Sequence, residues 1–562
     1  MKRWTLALGA LLLFAGGALA QSQDSLLRRQ LELERDFNPT LMDVNKINSL
    51  PTLSDPVVKK ANTNYSEWSD TSAPALEIAI PKPGAIMTQI PFASERGYAT
   101  LAGGNYANID GALGYRILDN ERDQLSLSFM HNSTNSKMDY NQPNSEKKNK
   151  VAFMDNLGGL SYKHAFDRFA MSGDLSYLHS LFNYYGNTLG TNRLFNEENQ
   201  QYGVLNVKLG VESDKNDTFE YSGGIDFKNF STKFMEELGD GGLKGNQVNL
   251  HVDLSKPFGR GDYRIGIGGS SKNSFYSDDR KNYSLLSAAP YIGMGGVNWR
   301  GRLGADVLFH IAGKTEIRVV PHVDFQWYVS DHSSIYAKVH GGYASNTFID
   351  MMEESRYVSP TFNVKPAMTL ADLNLGVKVG ELDGFRFDVF GGIKVTEDEH
   401  FLILGTNYNE EDTSFDYTYE YLMPHYDKLT HSYVGGAIHN NSWSPLRISL
   451  SLKQNFYNLK DEQAKAYNKP GTELDLHAEF AAMPQLKFSL DYRLATDRWT
   501  RYNGMNVEMD NINDLGLGAI YKISNNFAVN VKANNLLFQE YDIWYGYPAQ
   551  SFNIMGGFSF QF

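Results

Sequence analysis

Three neighbouring stretches late in the chain carry charged side chains on alternate positions. Glu473, Asp475, His477 and Glu479 form one series; Lys487, Asp491 and Arg493 share the phase of a second; Arg447 and Lys453 belong to a third. Apolar residues occupy the intervening positions: Leu474, Leu476, Ala478 and Phe480, then Leu486, Phe488, Leu490, Tyr492 and Leu494, and before them Leu446, Ile448, Leu450 and Leu452. Successive side chains on a strand point to opposite faces, so each stretch reads as a ribbon with one apolar and one charged surface. If the ribbons neighbour one another in chain order, acids and bases on adjacent strands can pair. Such pairs rigidify a wall or line a polar solute path, and the pattern leaves both open. A hydrated pair of this kind contributes under about 1 kcal/mol.

Other chemistry finds little support. The His-Glu-x-x-His, Gly-x-Ser-x-Gly and phosphate-loop patterns do not occur. His431 with Ser432, or His439 with Ser442, is the nearest approach to a hydrolase pair. Adjacent residues on a strand face opposite ways, and no third triad member accompanies them, so no catalytic residue is expected. The acidic stretches Glu397–Glu399, Glu410–Asp412 with Asp416, and Glu236–Asp240 offer oxygen ligands for Ca²⁺. Their spacing matches no calcium loop, and they read as solvated charge; neither a metal nor a cofactor is expected. The chain has no cysteine, which excludes disulfides and thiolate metal sites. Its net charge of −13, without a basic block, argues against nucleic acid as a partner.

The elements that would position these residues follow the same two-sided rhythm from Arg96 onward. Leu205, Val207, Leu209 and Val211 alternate with Asn206, Lys208 and Glu212, and Phe385, Phe387 and Val389 alternate with Arg386 and Asp388. Tight turns such as Leu118–Arg122, Ala165–Arg168, Ser330–Ser333 and Ala482–Gln485 alternate with long polar stretches, among them 133–149, 184–200, 231–245, 345–366, 397–427, 458–471 and 497–511. Short connections at one rim and long ones at the other, with aromatics crowding the strand ends, is the arrangement of a transmembrane β-barrel. Half of each such strand faces water, so low mean hydropathy is compatible with it. The fold class expected is therefore a closed antiparallel β-barrel over residues 94–562, of about 22 strands, with roughly 14 to 18 as the alternative. The count is soft over Tyr283–Lys314 and Gly97–Ile117.

The chain ends on an apolar strand, with Phe558, Phe560 and Phe562 on one face. A terminal aromatic strand of this type resembles the signal read by the barrel-assembly machinery of outer membranes. At the other end, Lys2-Arg3, the apolar run Leu6–Leu19 and Ala18-Leu19-Ala20 read as a secretory signal over residues 1–20. Residues 21–93 read as a periplasmic extension: one helix over Asp24–Phe37, then an extended segment broken by prolines.

Asn534-Asn535-Leu536, Tyr541, Trp544 to Pro548 and the Phe-terminated strand resemble the C-terminal end of TonB-dependent receptors. Ser345 through Glu354 to Leu370–Lys378 resembles a loop and strand of the same barrels. Pro548-Ala-Gln-Ser551 stands where that family usually has Pro-Gly-Arg, and no Ton box or globular plug is found in residues 21–93. The resemblance is thus to plugless relatives of Bacteroidota type. It implies a cell outer-membrane barrel with both termini periplasmic, in contact with lipid, forming a polar pore or serving nutrient uptake. Glu473, Asp475, His477, Lys487, Asp491, Arg493, Arg447 and Lys453 would line its lumen. The alternative is a scaffold subunit that docks an outer-membrane or periplasmic protein partner through residues 21–93.

Overall fold

The computed structural model describes residues 95–562, apart from 140–148, 187–198, 215–218, 235–241, 260–261, 278–279, 360–361, 382–383 and 407–419. The expected leader, extension and helix over Asp24–Phe37 lie outside these residues. The described chain forms a single sheet of 22 antiparallel strands, with two small hairpins beside it. Each barrel strand pairs with the next one in the chain, from Gly97–Gly104 to Asn553–Gln561. The last strand then pairs with the first, from Tyr98 opposite Gln561 to Gly104 opposite Met555. Gly97 N donates to Phe562 O at 2.8 Å, and Phe562 N donates back to Gly97 O at 3.0 Å. A Cβ at Gly97 would sit 2.7 Å from the Phe562 ring and 2.8 Å from the Tyr115 ring, so these rings would have to shift to admit a side chain there.

The apolar face of the ribbons points outward. Leu127, Phe129, Leu209, Ile225, Val319, Phe385, Val389 and Leu452 are all exposed, Val319 to 67%. In water such a continuous surface would drive aggregation; in hydrocarbon it is the required exterior. Aromatic rings crowd the rim of short turns, where Phe166 stacks on Phe169 at 4.3 Å and Phe258 lies 5.9 Å from Tyr263. Phe558, Phe560 and Phe562 join this outer surface at 43, 43 and 46% exposure.

Both regions that left the strand count soft are settled. Tyr283–Lys314 holds two complete strands, Tyr283–Gly295 and Trp299–Ala312, and the start of a third. The first two are joined by a tight turn in which Gly296 N donates to Trp299 O. Gly97–Ile117 holds two strands joined by a single 3-10 turn at Asn105–Ala107.

Two expected loops are corrected. Residues 397–427 are largely strand: Phe385–Thr406 and Glu420–Trp443 stay paired out to Thr406 opposite Glu420. Residues 497–511 contain a hairpin, Arg498–Tyr502 with Met505–Met509. Beyond the apolar band nothing demands strict alternation, so the sequence rhythm fades while the backbone ladder continues.

If Val389 faces hydrocarbon near mid-height, Val389→Arg should destabilise the barrel by about 2–4 kcal/mol. Reversible urea unfolding in lipid vesicles measures this, and an unchanged midpoint would count against the outward band.

Candidate functional site

The interior is shaped first by residues 345–366, which connect the thirteenth strand, Ser333–Ala344, to the fourteenth, Ala367–Gly380. Thr347 caps a short helix, Phe348–Glu354. Its hydroxyl accepts from Asp350 N at 3.3 Å, and Asp350 Oδ2 accepts from Thr347 N at 2.9 Å and from Ser345 Oγ at 3.0 Å. This reciprocal box satisfies amides that a helix start otherwise leaves unpaired. Phe348, Ile349, Met351 and Met352 are all essentially inaccessible. A surface loop would not bury four large apolar residues; each contributes about 1.5–3 kcal/mol by leaving water.

Their surroundings show how far the segment reaches. Phe348 N donates to the Tyr276 hydroxyl at 3.2 Å, and the Phe348 ring stacks 6.2 Å from Phe230. Gln247 Nε2 donates to the Thr347 hydroxyl. Lys228 and Glu353 pair at 2.9 Å, and His400 and Glu354 at 2.7 Å. Beyond the helix, Arg356 grips Asp155 with two nitrogens, at 2.7 and 3.1 Å, while Ser180 Oγ donates to the same carboxylate at 2.6 Å. Asp155 lies on the fourth strand and Ser180 on the fifth, so the segment crosses the ring from its root to the opposite part of the wall. The Arg356 guanidinium titrates above its ordinary range: burial opposes its charge, and Asp155, Tyr202 and Tyr357 together outweigh burial. Val358 forms a parallel bridge to Leu422, and its carbonyl accepts from the Tyr184 hydroxyl at 2.8 Å.

A second segment, 535–552, meets the first from the closing strands. Tyr547 is fully buried, stacks 4.3 Å from Tyr357 and meets Tyr185 edge-on at 5.0 Å. A Cβ at Gly186 would sit 2.2 Å from the Tyr547 ring, so only glycine fits beneath it. Arg498 donates to the carbonyls of Asp510, Asp542 and Ile543 at 3.0, 2.9 and 2.6 Å. Burial pushes this guanidinium down to about 10, although the Asp542 carboxylate opposes the shift. A third connection, 460–471, sends Lys469 Nζ to Glu399 at 2.8 Å, with Lys394 3.6 Å from the same carboxylate. Glu399, expected as solvated charge, is therefore a buried ion-pair partner. The other two acidic stretches lie outside the described residues. Met138, Phe153, Phe182, Tyr202, Phe348, Val358, Leu422, Trp544 and Tyr547 belong to one apolar cluster, which joins strands from around the ring at the long-loop rim.

The charged ladder foreseen on the wall is in register. Lys453 stands opposite Glu473, Ser451 opposite Asp475 and Arg447 opposite Glu479. On the next pair Asp475 stands opposite Arg493 and His477 opposite Asp491. His477 Nδ1 lies 2.6 Å from Asp491 Oδ1, its Nε2 3.5 Å from Glu479, and Lys532 reaches Asp491 at 3.3 Å. Asn455 Nδ2 donates to Glu473 at 2.7 Å, and Lys453 Nζ sits 4.8 Å over the Tyr433 ring. Lys487 lies apart from these, opposite Ala481 and Ile520 near the turn rim. Sequence reading missed Lys532, Asn455 and the whole loop core.

The histidine–serine pairs do not assemble a triad. His431 Nε2 lies 2.9 Å from Asn455 Oδ1, His439 Nδ1 lies 3.2 Å from Ser449 Oγ, and Ser442 donates to Asn440. A different group does converge on the inward face: His322, Asp324 and His340.

No protein-family model and no curated protein matches the sequence. Among solved structures, the siderophore receptor PirA from Acinetobacter baumannii superposes with a TM-score of 0.64 at 11% identity, over 84% of this chain and 81% of that one. The ferripyoverdine receptor of the outer membrane of Pseudomonas aeruginosa gives 0.60 at 14% identity, over 84% and 72%. The copper transporter OprC gives 0.59 at 11% identity, over 84% and 80%. The barrel has the fold of outer-membrane receptors. At these identities the likeness is one of fold alone.

Within this receptor fold, Arg356 is the pin that holds the crossing segment to the wall. Arg356→Ala leaves Asp155 buried without its charge partner, a change that typically costs about 3–5 kcal/mol. Exchange of the Phe348–Glu354 amides should then speed up by about a hundredfold or more, read by hydrogen exchange with mass spectrometry. Unchanged exchange would show that the pair does not hold the segment.

Proposed function

We propose that this chain is an integral outer-membrane barrel that takes up a polar nutrient through a lumen gated by its own inward-folded loops. It would have no separate plug domain and no enzymatic activity. The observation that carries this reading is the segment 345–359, mostly buried, rooted on one side of the ring and pinned by Arg356 to Asp155 on another. A permanently open diffusion pore has no use for an apolar core across its mouth. A gated receptor needs one, because a 22-stranded lumen is otherwise wide enough to leak. The folds of a siderophore receptor and a copper transporter support uptake as the activity class.

In this reading residues 1–20 direct export, both termini are periplasmic and the long loops face outward. Glu473, Asp475, His477, Asp491, Arg493, Arg447 and Lys453 line the lumen, and Lys487 lies nearer its periplasmic end. The barrel-assembly machinery engages the strand bearing Phe558, Phe560 and Phe562. The same closed mouth favours a second reading, in which the barrel transports nothing and docks an outer-membrane or periplasmic protein through residues 21–93.

Planar-bilayer recording separates the two. Three forms are compared: the mature chain, a form lacking residues 21–93, and a form in which 345–366 is replaced by a short Gly-Ser linker. Uptake predicts silence from the first and steady conductance once the segment is removed. Silence from all three, with heat-modifiable folded barrels, would favour the scaffold.

A further inference from the structure

The strands Lys314–Ser330 and Ser333–Ala344 form a hairpin whose register sets His322 opposite His340 and Asp324 opposite Lys338. Val319, Phe325, Trp327 and Val329 face outward from this hairpin, so the even-numbered residues of its first strand face inward. Asp324 is two residues from His322 on that inward side. One ligating atom from each of His322, Asp324 and His340 falls within 4.8 Å of the others. His340 Nε2 lies 3.0 Å from Asp324 Oδ1, and His322 Nε2 lies 3.7 Å from Asp324 Oδ2. The two imidazole centroids are 4.6 Å apart. In a tetrahedral site with bonds of about 2.0–2.1 Å, ligand atoms stand about 3.3–3.4 Å from one another, between these two separations.

The next strand supplies a supporting group. Asp306, on Trp299–Ala312, lies 3.0 Å from His322 Nδ1 through Oδ1 and 3.3 Å through Oδ2. A histidine that donates its Nδ1–H to a carboxylate keeps its Nε2 lone pair for a metal, and metal-binding histidines are commonly held this way. Two separate histidine–aspartate hydrogen bonds would satisfy the side chains singly. They do not require both Nε2 atoms to approach one carboxylate. Two imidazoles and one carboxylate suit zinc, copper or nickel; calcium and magnesium prefer all-oxygen shells. Three carboxylates surround the histidines, Asp306, Asp324 and Asp372 opposite His340, against two cations opposite Asp324, Lys338 and Arg302, a balance that favours a cation. Three protein ligands leave a coordination position open to water or an incoming group, as in exchangeable rather than purely structural sites.

We propose that His322, Asp324 and His340 bind one divalent transition-metal ion of the zinc–copper class on the inward wall, with Asp306 orienting His322. This inference stands independently of whether the barrel is a transporter or a scaffold.

The test uses the full mature chain, folded in detergent, stripped with chelator and free of any histidine tag. Zn²⁺ is titrated calorimetrically, and Cu²⁺ is followed by electron paramagnetic resonance. The expected result is one saturable ion per barrel and a Cu²⁺ spectrum with nitrogen couplings. His322→Ala and His340→Ala should each weaken binding by at least a hundredfold, and Asp306→Asn by about ten- to a hundredfold. All variants should keep heat-modifiable migration, which separates loss of ligand from loss of fold. The proposal is overturned if the His322→Ala/His340→Ala double variant binds either ion as tightly and in the same stoichiometry as the unaltered chain. It is equally overturned if the unaltered chain binds neither ion saturably.

Discussion

A strand in hydrocarbon has no water to satisfy its edge, so every backbone donor and acceptor must find a partner in another strand. The pairing of Gly97–Gly104 with Asn553–Gln561 is the interaction on which the rest of this structure depends. Without it the sheet has two bare edges and cannot sit in lipid. With it, the two-sided ribbons have an inside and an outside, and the remaining features follow from that division. The apolar side chains go outward as one band. The polar ones are confined to a lumen whose width is set by 22 strands, more than their own side chains can fill.

The protein fills the long-loop end of that space with its own connections. Residues 345–366 and 535–552 bring aromatic and aliphatic side chains into contact with strands from much of the ring. Buried charge is used to fix where they land. Moving Arg356 and Asp155 out of water is unfavourable, and their attraction offsets that only when the geometry is good. The bidentate contact, with Ser180 on the same carboxylate, meets that condition. Lys469, Glu399 and Lys394 repeat the device for the connection 460–471. A buried pair therefore selects one docking position among several that an apolar contact alone would tolerate.

Much of this was legible in the sequence, and the boundary of legibility has a physical cause. Alternation was readable wherever lipid stands on one side and water on the other, as along Leu446–Lys453 or Leu486–Arg493, and it carried the fold and the charged ladder. Where strands rise past the lipid, as at Glu397–Thr406, both faces meet protein or water, and the rhythm stops marking the ladder. The crossing segment carries no period of its own. Only its helix start, Thr347 with Asp350 three residues on, is a local signal, and it says nothing of where the helix docks. His322 faces His340 only because the ladder slips by one residue between Tyr328 and Ser330; the tight turn Ser330–Ser333 alone would set His322 opposite Gly341, and the alternation of the sequence carries no mark of that slip.

The measurement that bears most directly on the crossing segment exploits the absence of native cysteine. Lys228 on the seventh strand and Glu353 on the segment approach to 2.9 Å, although their positions are 125 residues apart. In the double variant Lys228→Cys/Glu353→Cys, a short bifunctional thiol reagent applied to folded barrels should join the two sites. The joined product would migrate anomalously after heat denaturation, and neither single variant would. Folded double-variant barrels that remain unjoined, with both thiols labelled separately, would contradict a segment folded across the lumen.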